Sequence, residues 1–278
     1  MRRGLAACCA LACIVLAGCD GVFGLQHIAS RDAGPNDVGD RPIDGRIDAP
    51  VDTSCGPATG LMTTKRFGGR LDSDAPSSAT DTFIVDDVNH LGRNWGALER
   101  IFVCRHCMCT SCEGIAGGDD DAFGLLRFDL STQIPACSTV QSATLHLHTN
   151  SDNLGTGSVV AYQVLEAWDE GTGDLFDGEI GAANWTNRQL NNPWINAGAD
   201  EPSSRGTAIL ASFSPNVTET NYPTTLSKAI VQSWVDNPGT NHGLVLVIEG
   251  SMSDVHFYST ESAMPNKRPA LEVTYQAP

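Results

Sequence analysis

Hydrophobic and polar positions divide the chain into three stretches. Residues 5–17 are apolar without interruption. From residue 20 to about 60, large apolar residues are sparse after Ile28, while Asp20, Asp32, Asp37, Asp40, Asp44, Asp48 and Asp52 recur among Gly, Pro and Arg. From Asp81 to Tyr275, short runs of β-branched and aromatic residues alternate with clusters of turn residues, which is the signature of strands. Such runs predict strands near 82–88, 100–105, 124–130, 143–149, 159–168, 207–213, 243–249, 255–259 and 270–275. In 143–149, Leu145 and Leu147 alternate with His146 and His148, so one face is buried and the other wet. In 243–249, Leu244, Val245, Leu246, Val247 and Ile248 make both faces apolar, which predicts a central strand covered on both sides. Leu226, Ile230, Val231 and Trp234 fall at helical spacing, and Asn237, Pro238 and Gly239 stop that helix. The expected fold is all-β: a single β-sandwich (jelly roll) with one short helix.

The first two stretches read as a leader and a spacer. Arg2 and Arg3 precede the apolar run, which is too short to span a bilayer. It ends in Leu16, Ala17, Gly18 and Cys19, which resembles the lipobox of bacterial lipoproteins. That resemblance implies a signal peptide over residues 1–18, lipidation of Cys19, and an extracytoplasmic, lipid-anchored protein of the bacterial envelope, or a secreted one. Residues 19–62 then read as a disordered Asp/Gly/Pro-rich tether, and residues 63–278 as the folded domain.

Charge narrows the partners. The chain carries 17 basic and 33 acidic residues, a net −16; loss of Arg2 and Arg3 takes the mature chain to −18 (15 basic against 33 acidic). Such a protein repels phosphate backbones, so no nucleic-acid partner is expected. A polyanionic glycan would need a bridging cation or the loose basic cluster of Arg93, Arg100 and Arg105.

Of ten cysteines, Cys8, Cys9 and Cys13 leave with the signal and Cys19 enters the lipid thioether. Cys55, Cys104, Cys107, Cys109, Cys112 and Cys137 remain, an even number that suits three disulfides in an oxidising compartment. Four of them fall within "CRHCMCTSC", residues 104–112. If the strand before this segment simply continued, Cys104 would face one way and Cys107 and Cys109 the other. The chain must therefore turn before these thiols can meet. A soft thiolate cluster such as copper(I) tolerates the spacing better than one tetrahedral zinc does. Disulfides are the expectation, with metal as the alternative.

Several motifs occur in a familiar order. Asp81, Thr82, Phe83 and Ile84 open the domain, and Leu125, Leu126, Arg127, Phe128, Asp129, Leu130 and Ser131 follow a Gly-rich loop. Then come Ile134 and Pro135, the 142–147 run, and Ala167, Trp168, Asp169 and Glu170. A stretch with Trp185 and Trp194, the helix ending in Trp234, and the runs 241–246, 257–261 and 266–275 complete the set. The chain resembles the DNRLRE domain family, also classed as a carbohydrate-binding module family, over nearly all of 81–275. The resemblance implies a jelly-roll sandwich without catalytic machinery, a polysaccharide or cell-surface glycan as partner, and contact with the membrane through the lipid anchor only.

Candidate chemistry falls in three places. Trp185 and Trp194 lie in a polar loop with Asn187, Arg188 and Gln189, where exposed rings could stack on sugar faces and the polar groups could bond hydroxyls. The alternative is a loop folded over the sandwich and pinned by its rings. Two acidic loops, Asp119–Asp120–Asp121 and Glu166, Asp169 and Glu170, offer oxygen ligands for calcium, the one cofactor the residues suggest. His146 and His148 share a strand face at a spacing that could grip a soft metal, though outward histidines are also ordinary polar surface. Arg127, among apolar neighbours, is expected to pair with a carboxylate. No Gly-x-Ser-x-Gly, His-Glu-x-x-His or Walker loop occurs, and no enzyme activity is expected. The function expected is non-catalytic glycan binding. The alternatives are a structural or adhesive surface lipoprotein, and a metal- or redox-handling one built on Cys104–Cys112.

Overall fold

The computed structural model describes residues 55–69, 78–107, 120–152, 157–174, 182–250 and 253–278. Cys19, Cys109, Cys112, Asp119, the expected signal peptide and most of the expected tether lie outside the described residues.

The fold is all-β with one short helix. Among the described residues thirteen strands run as β1 (Met62–Gly68), β2 (Ala79–Val85), β3 (Arg100–Arg105), β4 (Ala122–Phe128), β5 (Thr139–His148), β6 (Ser158–Gln163), β7 (Asn187–Gln189), β8 (Asn192–Pro193), β9 (Ala211–Phe213), β10 (Asn221–Thr225), β11 (Leu244–Glu249), β12 (Ser253–Tyr258) and β13 (Ala270–Gln276). The helix α1 (Lys228–Asp236) lies between β10 and β11. A four-stranded sheet has the order β1-β13-β5-β10. A larger sheet has the order β12-β3-β4-β11-β6-β9, with β2 also paired to β4. Every pairing is antiparallel, and the chain passes repeatedly between the sheets, as in a jelly roll. The sheets meet at one edge, where Thr149 bridges Phe257.

Two-residue periodicity explains the layers. From the small sheet, Ala143, Leu145, Leu147, Leu271, Val273 and Tyr275 point inward; from the large sheet, Phe83, Val85, Leu126, Leu244, Leu246 and Ile248 meet them in one core. Gly124 allows close packing there, since a Cβ would fall 2.7 Å from Ile101 Cγ2. The alternate residues of the large sheet, Ile84, Leu125, Val160, Tyr162, Val245 and Val247, form a second core on its far face. The two-faced apolar pattern of 243–249 is thus realised: β11 lies between β4 and β6, covered on both sides.

A nine-residue helix is marginal in water, so burial must hold α1. Val231, Trp234 and Val235 are buried. Gln232 docks the helix on the start of β5: its Oε1 accepts the Val140 N–H at 2.7 Å and its Nε2 donates to the Ser138 carbonyl at 3.0 Å.

Several boundaries differ from the sequence pattern. β6 stops at Gln163 and β9 begins only at Ala211, because the residues beyond them join a loop layer. β1 and β10 escape the pattern. Both are edge strands of the small sheet, β1 has Phe67 as its one fully buried large side chain, and β10 carries Pro223, which an edge tolerates. The end of the expected tether is also engaged: Met62 opens β1, the Gly60 N–H donates to the Ala277 carbonyl at 2.9 Å, and Cys55 is bonded to Cys137.

Two disulfides occur among the described residues, Cys55–Cys137 and Cys104–Cys107. The second closes the turn that the sequence requires at the end of β3. His106 adopts φ 50°, its N–H donates to Asp121 Oδ1 at 3.0 Å, and the Cys107 N–H donates to the Asp120 carbonyl at 2.8 Å. Both half-cystines are fully buried, so Cys104 and Cys107 act as a staple. Cys55–Cys137 spans a sequence separation of 82 residues. Closing so long a loop restricts the unfolded chain strongly. Cys137→Ser is expected to cost about 2–4 kcal/mol, read as a lowered denaturant midpoint. An unchanged midpoint would show that this bridge contributes nothing to stability.

Candidate functional site

The described residues of 164–210 fold over the outer face of the large sheet. Trp168, Ala183, Trp194 and Ala199 pack there on the second core. Buried indole N–H groups need acceptors: Trp168 Nε1 donates to the His242 carbonyl and Trp194 Nε1 to the Asn184 carbonyl, each at 2.8 Å. Trp194 is 4% exposed, which overturns its expected role as a sugar-stacking ring. Trp185 is half-buried, 5.2 Å from the Phe123 ring between centroids. Gly198, at φ 75°, lets the chain approach this indole, where a Cβ would meet Cζ2 at 2.7 Å.

The polar neighbours of the rings serve the loop itself. Asn184 Oδ1 accepts the N–H groups of Thr186 and Asn187 at 3.0 and 2.8 Å. Arg188 donates through Nη1 to the Ala167 carbonyl at 2.8 Å and pairs through Nε with Glu166 at 3.3 Å. Gln189 Nε2 donates to Asp169 Oδ1 at 3.1 Å. The acidic trio expected to hold calcium is likewise divided. Glu166 faces Arg188, Ser204 Oγ and the Ile195 N–H, Asp169 faces Gln189, and Glu170 turns inward. Asp121 accepts from His106, away from that trio. Among the described residues, no group of three or more His, Cys, Asp or Glu side chains is arranged to hold a metal. Among the described residues no carboxylate forms an ion pair with Arg127; its guanidinium lies 5.2 Å over the Trp168 ring, a cation–π contact.

A different carboxylate cluster forms, which spacing along the chain could not reveal. The Asp81 N–H donates to Glu170 Oε1 at 2.6 Å, and Asp81 Oδ2 accepts the Thr260 N–H at 2.8 Å. Thr260 Oγ1 donates to Glu261 Oε1 at 2.8 Å, while Glu261 Oε2 is buried without a hydrogen-bond partner. Asp81 is 1% exposed. Burial, and then the charges of Glu261 and Glu170, push its carboxyl well above the usual range. Burial pushes Glu170 up to about 7 despite the Asp81 N–H, and burial raises Glu261 too. The cluster joins β2, the 164–210 layer and the turn after β12.

The outer face of the small sheet is the opposite case, polar and accessible. Strand registry sets its side chains in rows. Thr64, Thr274 and Ser142 lie side by side, and the Thr64 and Thr274 hydroxyls are 2.9 Å apart. Arg66, Glu272, Thr144 and Thr225 form the next row, then Ala270, His146 and Pro223, then His148 and Asn221. Neighbouring strands are about 4.8 Å apart and alternate residues about 6.8 Å apart. Each of these residues except Ala270 is exposed or half-buried. Where the face meets β12, His148 packs edge-on to Tyr258 at 5.7 Å. Tyr258 donates its hydroxyl to Glu219 at 2.7 Å, and Lys267 pairs with Glu219 and lies 4.9 Å over the tyrosine ring.

Compared with protein-family models and with curated proteins, the chain finds no match.

Proposed function

We propose that this protein is a non-catalytic carbohydrate-binding module of the DNRLRE type, held outside the cytoplasm by a lipid on Cys19. In this reading it engages a polysaccharide with the outer face of its small sheet. The observation that carries the proposal is the contrast between the two sheets. One outer face is sealed by a tryptophan-bearing layer, whereas the other presents hydroxyl, amide, imidazole, guanidinium and carboxylate groups on rigid strands. Strands hold those groups with little entropy left to lose on binding. Tyr258 at the margin offers an apolar ring edge. A net charge of −16 on the full chain favours a neutral glycan over a polyanionic one.

A polysaccharide array probed with the mature protein, with and without calcium, tests this reading. Binding to a neutral polysaccharide is expected, and Arg66→Ala or Asn221→Ala should weaken it roughly tenfold, about 1.4 kcal/mol, without altering the melting temperature. Silence across the array in both conditions would sink the proposal and leave a structural or adhesive role. Loss on Trp185→Ala, with no effect of the sheet-face substitutions, would move the site to the loop layer.

A further inference from the structure

We propose that residues 260–268 form a pH-operated arm: ionisation of the buried carboxyls beneath it lifts the arm and withdraws Lys267 from the rim of the small sheet's outer face. The contacts that define this arm stand apart from the proposed glycan binding and do not rest on it.

At one end of the arm, Thr260 and Glu261 close the carboxylate cluster over Asp81 and Glu170. Asp81 and Thr260 are buried there, and Glu261 Oε2 is buried without a partner. At the other end, Lys267 pairs with Glu219 and lies over the Tyr258 ring. Hydrogen bonds make one unit of what lies between. Arg268 Nε donates to the Ser262 carbonyl at 2.8 Å, the Met264 N–H to Ser262 Oγ at 3.2 Å and the Lys267 N–H to the Met264 carbonyl at 2.9 Å. Ser259 fixes the root, donating its hydroxyl to the Leu98 carbonyl at 2.6 Å, and β13 takes up the chain again at Ala270. Ala263, Met264, Pro265 and Asn266 are exposed, so the middle of the arm already faces water.

Charge decides whether the arm stays down. Burial raises all three carboxyls, Glu170 to about 7, and they act on one another: Glu261 on Asp81 and Glu170, and Glu170 on Asp81. The facing cations are Arg127 of β4, which acts on Glu170, and Arg268 of the arm itself, which acts on Glu261. As pH rises through the folded values, negative charge collects in a sealed space, which is costly. Two of the three members are held in place. Asp81 belongs to β2, paired along its length with β4, and the backbone of Glu170 is clasped by Asn94, whose Nδ2 donates to the Glu170 carbonyl at 2.6 Å and whose Oδ1 accepts the Gly173 N–H at 2.9 Å. Glu261 is the member that can reach water, and it does so by lifting the arm. The rim contacts keep their charges across this window: pairing with Lys267 lowers Glu219, pairing with Glu219 raises Lys267, and burial, then Glu219, raises Tyr258. The other titratable neighbour there is His148, edge-on to Tyr258.

Amide hydrogen exchange and the side-chain NMR signals of Lys267 are to be compared at pH 6 and pH 8 on the mature protein with disulfides intact, with exchange corrected for its intrinsic pH dependence. Each proton released on opening shifts the opening equilibrium about tenfold per pH unit. Protection over 260–268 is therefore expected to fall at least roughly tenfold, while β11 stays protected and the Lys267 signals lose the ring-current shift of Tyr258. Glu261→Gln keeps an acceptor for Thr260 Oγ1 and removes one charge, and it is expected to hold the arm down at pH 8. A response that survives Glu261→Gln would come from His148 or elsewhere and would overturn the proposal. So would an arm unchanged between the two pH values, or an equal loss of protection in β11, which would mark a global effect. No polysaccharide enters these measurements, so failure of glycan binding on the array would leave their result untouched.

Discussion

Trp194→Ala is expected to destabilise the protein by about 3–5 kcal/mol, the range for removing a large buried aromatic, and to leave the proposed glycan binding at the small sheet unchanged in the fraction that stays folded. Trp194 shares the second core with Ile84, Leu125, Val160, Val245 and Val247, and its indole ties back to the Asn184 carbonyl. Truncation would open a cavity under the 164–210 layer and orphan that carbonyl, two costs that add. Trp194→Phe should recover much of the packing but not the hydrogen bond, and so fall between the two. Urea unfolding checks the order wild type, Phe, Ala. A Trp194→Ala protein of wild-type stability that no longer bound polysaccharide would restore the tryptophan to a sugar-binding role.

Stability is expected to fall as pH rises from about 4.5 to 7 through the contribution of the Asp81–Glu170–Glu261 cluster. Glu170 titrates near 7 in the folded protein against 4.5 for the free side chain, and Asp81 and Glu261 are raised as well. In that window the native state holds protons that the unfolded state has released, so the slope of unfolding free energy against pH is negative. The favourable term is fully present below the unfolded values and is lost as pH passes through the folded ones. Each proton by which the states differ contributes about 1.4 kcal/mol per pH unit; Glu170 is partly solvated, which reduces its share. The cations facing the cluster are Arg127, which acts on Glu170, and Arg268, which acts on Glu261; neither cancels the effect of burial. Asp81→Asn retains an acceptor for the Thr260 N–H and removes one charge. It is expected to flatten the pH dependence and to be more stable than wild type at pH 8, as Glu170→Gln is to a smaller degree. Parallel stability curves for wild type and variants across pH 4.5–8 would refute shared protonation in this cluster.

How far the sequence reached differs from element to element. β3 matches its predicted bounds and β11 its predicted double burial, because both are continuous apolar runs whose period is visible locally. The helix is found where Ile230, Val231 and Trp234 place it. β1 and β10 were not legible: an edge strand with few buried side chains has no strong period, and its partner, not its composition, makes it a strand. Cys55–Cys137 was open among many pairings, since connectivity follows spatial approach. The Trp185–Trp194 loop could be read as a platform or as a lid, and burial decided for the lid at Trp194.

Local pattern by itself determined an all-β chain with one short helix, a doubly covered central strand and a strand face bearing His146 and His148. Those are properties of neighbours, and periodicity reports neighbours. Only the tertiary structure decided which polar groups stand in water and which are sealed. Asp81, Glu170 and Glu261 meet across sequence separations of 89 and more, and Arg66 reaches Glu272 through strand pairing. Whether the tryptophan-bearing loop becomes core, and which sheet face stays open to water, depends on which side of each sheet the described residues of 164–210 cover. That choice is set by the summed apolar area of both layers, a quantity no short stretch of sequence contains.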